Sequence, residues 1–66
     1  MTIDIIYYTG EKNRIKNVNA LDFDGETGEL HVQGDNGKVI KYRMVKEVQV
    51  LWVLKICIVL ARHVLC

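Results

Sequence analysis

Thiol and imidazole side chains are the groups of this chain best able to bind a metal. Cys57, His63 and Cys66 lie close together in the sequence, and His31 could join them, which would give zinc the ligand types that it prefers. No close pair of cysteines sits on a turn, so the spacing fits none of the usual zinc patterns. We therefore predict no metal site and expect Cys57 to be a small buried hydrophobe.

Nucleophilic catalysis is the second chemistry to consider. The chain contains no Ser, which excludes a serine nucleophile. A reactive cysteine needs an electropositive and partly exposed setting, whereas Cys57 is flanked by two isoleucines. We predict no catalytic residue, no cofactor and no enzymatic activity.

Four of the eight acidic residues fall in one short stretch, at Asp22, Asp24, Glu26 and Glu29. A calcium loop would require a fixed pattern of oxygen ligands that ends in a bidentate Glu. That pattern is absent. The stretch is typical of a solvated turn with a local negative field.

Basic residues form two stretches that could bind a polyanion. They are Lys12, Arg14 and Lys16 in the first stretch and Lys38, Lys41, Arg43 and Lys46 in the second. Tyr7, Tyr8 and Tyr42 lie nearby, and small barrels bind single strands by pairing a basic groove with aromatic platforms. Acids are interleaved, however, and the net charge is only +1. A nucleic-acid-binding β-module is therefore the alternative, and outward Lys and Arg that keep a strand edge soluble are the preferred interpretation.

Length and composition indicate one small folded domain. The chain has 66 residues, of which 50% are apolar and 26% are charged, so we predict a single domain over residues 1–66. A chain this short buries only about 60% of the surface that it exposes when unfolded, so a second copy or a partner would add needed stability. The placement of both cysteines late in the sequence and the lack of a signal-like opening favour a cytoplasmic location.

The first half of the chain is predicted to form strands separated by Gly-rich turns. Residues 2–9 are rich in β-branched and aromatic side chains and end at Gly10, which is typical of a strand. Apolar positions in residues 15–23 follow neither the two-residue repeat of a strand nor the 3.6-residue repeat of a helix. We therefore predict a second strand with a bulge near Asn19. Residues 24–28 form a turn.

The strongest local signal is a hairpin. Residues 29–33 alternate with Leu30 and Val32 inward, and Asn36-Gly37 suits a type I′ turn. The return strand, residues 38–44, places Ile40, Tyr42 and Met44 on the inward face and Val39, Lys41 and Arg43 on the outward face. The polar side of this hairpin is the predicted binding face, formed by His31, Gln33, Lys38, Lys41 and Arg43.

Residues 48–66 are nearly continuously apolar. We predict a strand to about Leu54 and then a helix or a further strand. A membrane-associated segment is a second alternative, but the charge of Lys55 opposes insertion. Large apolar patches rarely stay exposed on soluble monomers, so we predict a homo-oligomer. Its interface residues are Leu51, Trp52, Leu54, Ile56 and Ile58.

The opening IIYYTG (residues 5–10), the Gly-punctuated hairpin and KYRMVKEV (residues 41–48) resemble the very short β-rich proteins of phages and mobile elements of Gram-positive bacteria. The resemblance is one of size, turn usage and the overall pattern of residue types, and it includes no motif residue. It implies a protein that binds and blocks a host protein, as anti-defence inhibitors do, or that sequesters a small ligand.

Together these observations predict a mainly β fold, a small antiparallel meander or barrel of four to five strands with an apolar C-terminal strand or helix. The predicted function is that of a non-enzymatic binding module.

Overall fold

The computed structural model describes residues 1–51 in full and the backbone of residues 56–60 and 63–65. The described elements are all strands: β1 (Thr2–Tyr7), β2 (Lys12–Ile15), β3 (Val18–Asp24), β4 (Glu29–Gly34), β5 (Val39–Tyr42), β6 (Val45–Leu51), β7 (Ile56–Leu60) and β8 (His63–Leu65). The predicted mainly β class is confirmed. The number of strands exceeds the predicted four to five, and after Leu51 the described residues continue as strands rather than as a helix.

The strands form two antiparallel sheets. Sheet 1 has the order β2-β1-β6-β7-β8, and sheet 2 has the order β3-β4-β5. Strand β1 lies between two neighbours, because Ile3 pairs with Ile15 of β2 on one side and with Val50 of β6 on the other. Sheet 2 consists of two consecutive hairpins.

Apolar residues of both sheets make up a single buried core. The core residues are Ile3, Ile5, Val45, Val48 and Val50 in sheet 1 and Val18, Phe23, Leu30 and Val32 in sheet 2 or at its start. Burying a side chain of this size contributes roughly 1.5–3 kcal/mol. The predicted inward positions of Leu30 and Val32 are confirmed, with the intervening His31 exposed.

The segment predicted as one bulged strand is two strands joined by a corner. Asn17 lies between β2 and β3 with φ of 59°, a left-handed conformation that Asn tolerates better than most residues. The chain therefore leaves sheet 1 at Ile15 and enters sheet 2 at Val18. The predicted bulge near Asn19 is confirmed, because the pairing of β3 with β4 shifts between Val18 and Ala20.

The β4–β5 hairpin is confirmed, but the predicted turn type is wrong. A type I′ turn needs positive φ at both central residues, whereas in this turn only Gly37 has it, at 78°. The Gly37 N–H donates to the Gly34 carbonyl and the Gly34 N–H donates to the Lys38 carbonyl, both at 3.0 Å. This is the pattern of a three-residue hairpin loop, in which residues 34–37 form a β-turn and the left-handed Gly37 forms a bulge at its end.

Met44 has an unusual backbone conformation between β5 and β6. Its φ is 60°, which costs a non-Gly residue about 1–2 kcal/mol. Two hydrogen bonds hold it there: its carbonyl accepts from the Tyr8 N–H at 3.0 Å, and the next amide, of Val45, donates to the Gly28 carbonyl at 2.9 Å. The Met44 side chain is 63% exposed. The prediction that it continues the inward face of the strand is therefore wrong.

Candidate binding surface

Strand β5 is the outermost strand of sheet 2. It pairs with β4 on one side, and no strand in the described part of the chain pairs with its other side. Val39 is 61% exposed and Ile40 is 56% exposed, so apolar side chains reach solvent from both faces. The expectation that Ile40 lies inward is wrong, because the sheet ends beside it.

The backbone of β5 also has unused hydrogen-bonding groups. The Gly34 N–H bonds to the Lys38 carbonyl, and in an antiparallel ladder the bonds to one neighbour recur at every second residue. Ile40 and Tyr42 therefore bond to β4. The N–H and C=O groups of Val39 and Lys41 face the side that carries no strand in the described residues.

An open groove of about 340 Å³ lies on the face of sheet 2 that carries Val32, Ile40 and Tyr42. The corner between β2 and β3 forms one wall through residues 15–18, and the β4–β5 hairpin forms the other. Ile15 and Tyr42, which are half-buried and pack against the core, give the groove an apolar floor. Ile40 stands at its rim.

A second depression lies beyond the end of β5. It is lined by Tyr7, Lys12 and Asn13 on the side of β1 and β2 and by Met44 on the side of β5. The Asn13 side-chain amide donates to the Tyr7 hydroxyl at 3.5 Å. Met44 is exposed here, four residues after Ile40 and past the end of β5. We call Val39, Ile40, Met44 and the groove the edge surface.

The groove brings together members of both basic stretches. Lys16 from the first stretch and Lys38 from the second line it, together with one acid, Asp35. Neither lysine has an ion-pair partner among the described residues. Arg14 of the first stretch differs, because it binds Asp4 and does not line the groove.

The outer face of sheet 2 carries paired charges. Lys41 Nζ lies 3.2 Å from Glu29 Oε2, and His31 Nε2 lies 3.6 Å from the same oxygen. The Lys41 ammonium, which hydrogen-bonds the Glu29 carboxylate, holds the pKa of that carboxyl below its ordinary value, with smaller contributions from His31 and Arg43. The basic residues on this face are therefore partly neutralised.

The predicted binding face is brought together only in part. His31 and Lys41 are directly paired across β4 and β5, Gln33 pairs with Val39, and Arg43 follows β5. Lys38 is separated from this set, because it lines the groove. The predicted exposure of Lys41 and Arg43 is confirmed.

The acidic stretch forms part of a shallow depression with His31. Asp22, Asp24 and Glu29 line it, and Asp22 pairs with His31 across the sheet. Among the residues that the structure describes, no group of three or more His, Cys, Asp or Glu side chains is placed to hold a metal ion.

The predicted oligomer interface falls largely beyond the fully described range. Leu51 ends β6 and is half-buried, and its backbone pairs with Ile56 of β7. Ile58 pairs with Gln49. Trp52 and Leu54 lie outside the described residues. No helix in the described ranges is long and apolar enough to cross a membrane.

Sequence reasoning missed Met44, Val39 and Ile40 as candidate binding residues. The alternating pattern assigned Ile40 and Met44 to the core side. The position of β5 at the end of its sheet exposes Ile40, whereas Met44 lies past β5 in a left-handed conformation. Comparison with protein-family models, with curated proteins and with solved structures found no match. Function is therefore inferred from the residues themselves.

Proposed function

We propose that this protein is a non-enzymatic binding module that recognises another protein through the edge surface. The observation that supports the proposal is the exposure of Val39 and Ile40 on a strand edge that no described strand pairs with, and of Met44 just past the end of that strand. Exposed apolar side chains beside an open strand edge are a common feature of interaction sites. The strained backbone of Met44 strengthens the argument, because such strain concentrates at functional positions.

A protein partner fits the edge surface better than a nucleic acid does. Lys16, Lys38 and Tyr42 in one groove are the elements of a single-strand site, but such sites offer aromatic faces on which bases stack. Tyr42 packs against the core, and the exposed apolar side chains beside it are aliphatic. Aliphatic side chains favour contacts with apolar residues of a protein.

Inhibition of a host protein, cytoplasmic location and self-association through residues 51–58 stay predictions from the sequence. Self-association is tested by light scattering of the purified full chain at micromolar concentration. A monodisperse monomer would remove the oligomer prediction and leave the edge surface unaffected.

The experiment for the binding proposal uses a photoreactive residue at position 40 of the full chain. A matched control places the same residue at Glu26, which is exposed in the β3–β4 turn. We expect position 40, and not position 26, to cross-link one protein in a lysate of a bacterial host. The purified partner should then bind Ile40→Lys about ten-fold more weakly than the wild type, as expected for loss of an interface anchor.

Two results would overturn the proposal. One is equal cross-linking from positions 40 and 26. The other is binding of a single-stranded oligonucleotide that is lost in Lys16→Glu and weakens steeply with salt, which is the behaviour of a nucleic-acid module.

A further inference from the structure

We infer that the occupant of the edge surface is an extended segment of a partner protein that carries both acidic and β-branched residues on each of its two faces and adds to β5 as a fourth strand of sheet 2. The inference rests on the proposed function and specifies its partner. Its three supports are the free backbone groups of β5, the side chains on its groove side and the side chains on its outer side.

The backbone of β5 provides the hydrogen bonds that an added strand requires. The N–H and C=O groups of Val39 and Lys41 face the open side, as the bonding of Gly34 to Lys38 requires. An extended peptide can satisfy these groups while its side chains enter pockets at alternate positions. Within the described residues nothing competes for this side of the strand.

On the groove side, the added strand meets both apolar and positive groups. Lys38, Ile40 and Tyr42 are alternate residues of one strand face and all line the groove, with Lys16 on the opposite wall. A carboxylate beside Lys38 and Lys16 would meet two ammonium groups that have no carboxylate partner among the described residues. A β-branched residue beside Ile40 would cover the exposed rim.

On the outer side of β5, apolar and basic side chains again lie together. Val39 is apolar and exposed, and Lys41 and Arg43 follow it on the same face. Glu29 already binds Lys41 at 3.2 Å, so an incoming carboxylate would share Lys41 and would also face Arg43. Both sides of β5 therefore favour an acidic strand over a basic one.

The same charges argue against a second copy of the chain as the occupant. Two paired β5 strands would bring Lys38, Lys41 and Arg43 of each copy to one seam, and residues 38–43 contain no acid to offset them. Like charges opposite one another destabilise strand pairing, and lysines on an edge are a common protection against it. An acidic partner converts that repulsion into attraction.

The test titrates the isotope-labelled full chain with a short capped peptide that repeats Glu-Val-Val-Glu, so that each face of the extended peptide carries both Glu and Val. We expect slower hydrogen exchange at the amides of Val39 and Lys41, because strand addition pairs these two groups. A peptide with Lys in place of Glu should bind at least about five-fold more weakly, because its lysines would face Lys38 and Lys41, and like charges across a strand pair are destabilising. The Glu peptide with a central Pro should lose binding, because Pro removes a ladder donor.

Charge reversal on the protein provides the second arm. The double variant K38E/K41E should prefer the Lys peptide over the Glu peptide, whereas K46E, which changes an exposed lysine of β6, should keep the wild-type preference. Circular dichroism of each variant checks that the fold is retained. A preference that K38E/K41E leaves unchanged would contradict the proposed charge recognition.

Other outcomes overturn the inference in distinguishable ways. Equal binding of the Pro peptide would exclude strand addition, and protection of Val39 and Lys41 that rises with protein concentration alone would identify a second copy. If the Glu peptide produces no protection while position 40 still cross-links a protein partner, strand addition fails and the proposed function stands. If position 40 also fails to cross-link, both fail.

Discussion

Strands β1 and β5 have similar apolar side chains, but these side chains are buried in β1 and exposed in β5. In β1, the consecutive residues Ile3, Asp4 and Ile5 are all buried. In β5, the consecutive residues Val39 and Ile40 are both more than half exposed. The difference follows from their neighbours, because β1 lies between β2 and β6 whereas β5 has β4 on one side only.

The buried carboxylate of β1 shows what a neighbouring strand contributes. Asp4 pairs directly with Arg14 of β2, and the guanidinium makes two hydrogen bonds to it, of 2.8 and 3.0 Å. The Arg14 side chain stays 55% exposed while the Asp4 side chain is 3% exposed. A flanking strand can therefore cover and satisfy a charge, and β5 has no such strand on its open side in the described residues.

The largest expected difference between the two strands is in stability after truncation. Ile5→Ala should lower the free energy of unfolding by about 2–5 kcal/mol, because it leaves a cavity in the core. Ile40→Ala should change it by less than about 0.5 kcal/mol, since its side chain is already in solvent. Urea unfolding followed by circular dichroism measures both. Similar losses in the two variants would mean that the edge surface is covered in the free protein.

The hairpin that presents β5 is the next point to perturb. Gly37→Val should lower the free energy of unfolding by about 1–2 kcal/mol, because a β-branched residue resists positive φ. Gly37→Asn is the matched control and should cost less. An unchanged melting temperature of the Val variant would contradict the left-handed conformation of Gly37.

The Asp4–Arg14 pair should make stability depend on pH. Arg14, through its hydrogen bonds to Asp4, lowers the pKa of the Asp4 carboxyl below its ordinary value of 3.8. Because the folded-state pKa is the lower one, the contribution of Asp4 is complete above pH 3.8 and is lost as the pH falls through the folded-state pKa. In Asp4→Asn that part of the acid dependence should disappear, with a smaller loss of stability at neutral pH than in Ile5→Ala.

Thermal unfolding between neutral and acidic pH, with Glu26→Gln in the exposed β3–β4 turn as the control, measures this dependence. The control should keep the acid loss that comes from Asp4. An Asp4→Asn variant with the full acid dependence of the wild type would show that other carboxyls carry it.

The smallest expected effect is a gain in stability at Met44. Met44→Gly should raise the free energy of unfolding by up to about 1 kcal/mol, because Gly adopts positive φ without strain and this gain exceeds its greater entropy loss on folding. Met44→Ala keeps the strain and should give no gain. If Met44 is a binding residue, both variants should weaken the partner complex, so stability and binding would change in opposite directions in Met44→Gly. A Gly variant no more stable than the Ala variant would contradict strain at this position.

Local patterns in the sequence predicted the β class, the hairpin and the inward side chains of β4. These features depend on residues close together in the chain: Leu30 and Val32 alternate with polar residues, and Gly37 supplies a conformation that few other residues adopt easily. The bulge near Asn19 also follows from a local break in the alternation.

The features that sequence reasoning missed depend on pairing between distant segments. Nothing in the neighbourhood of Asp4 indicates burial, because Arg14 reaches it only through the pairing of β1 with β2. Likewise, Ile40 alternates as a core residue would, and its exposure follows from the end of the sheet. The edge surface could not be predicted from local alternation for the same reason.

The pairing of β1 with β6 has a consequence for the time course of folding. Thr2 pairs with Leu51, so the centre of sheet 1 closes a loop that contains all of sheet 2. Closing a long loop costs conformational entropy before the contacts between its ends can stabilise the chain. The two hairpins of sheet 2 need only short loops, so we expect closure of β1 onto β6 to limit the folding rate. During synthesis that closure must wait until Val45–Leu51 has left the ribosome.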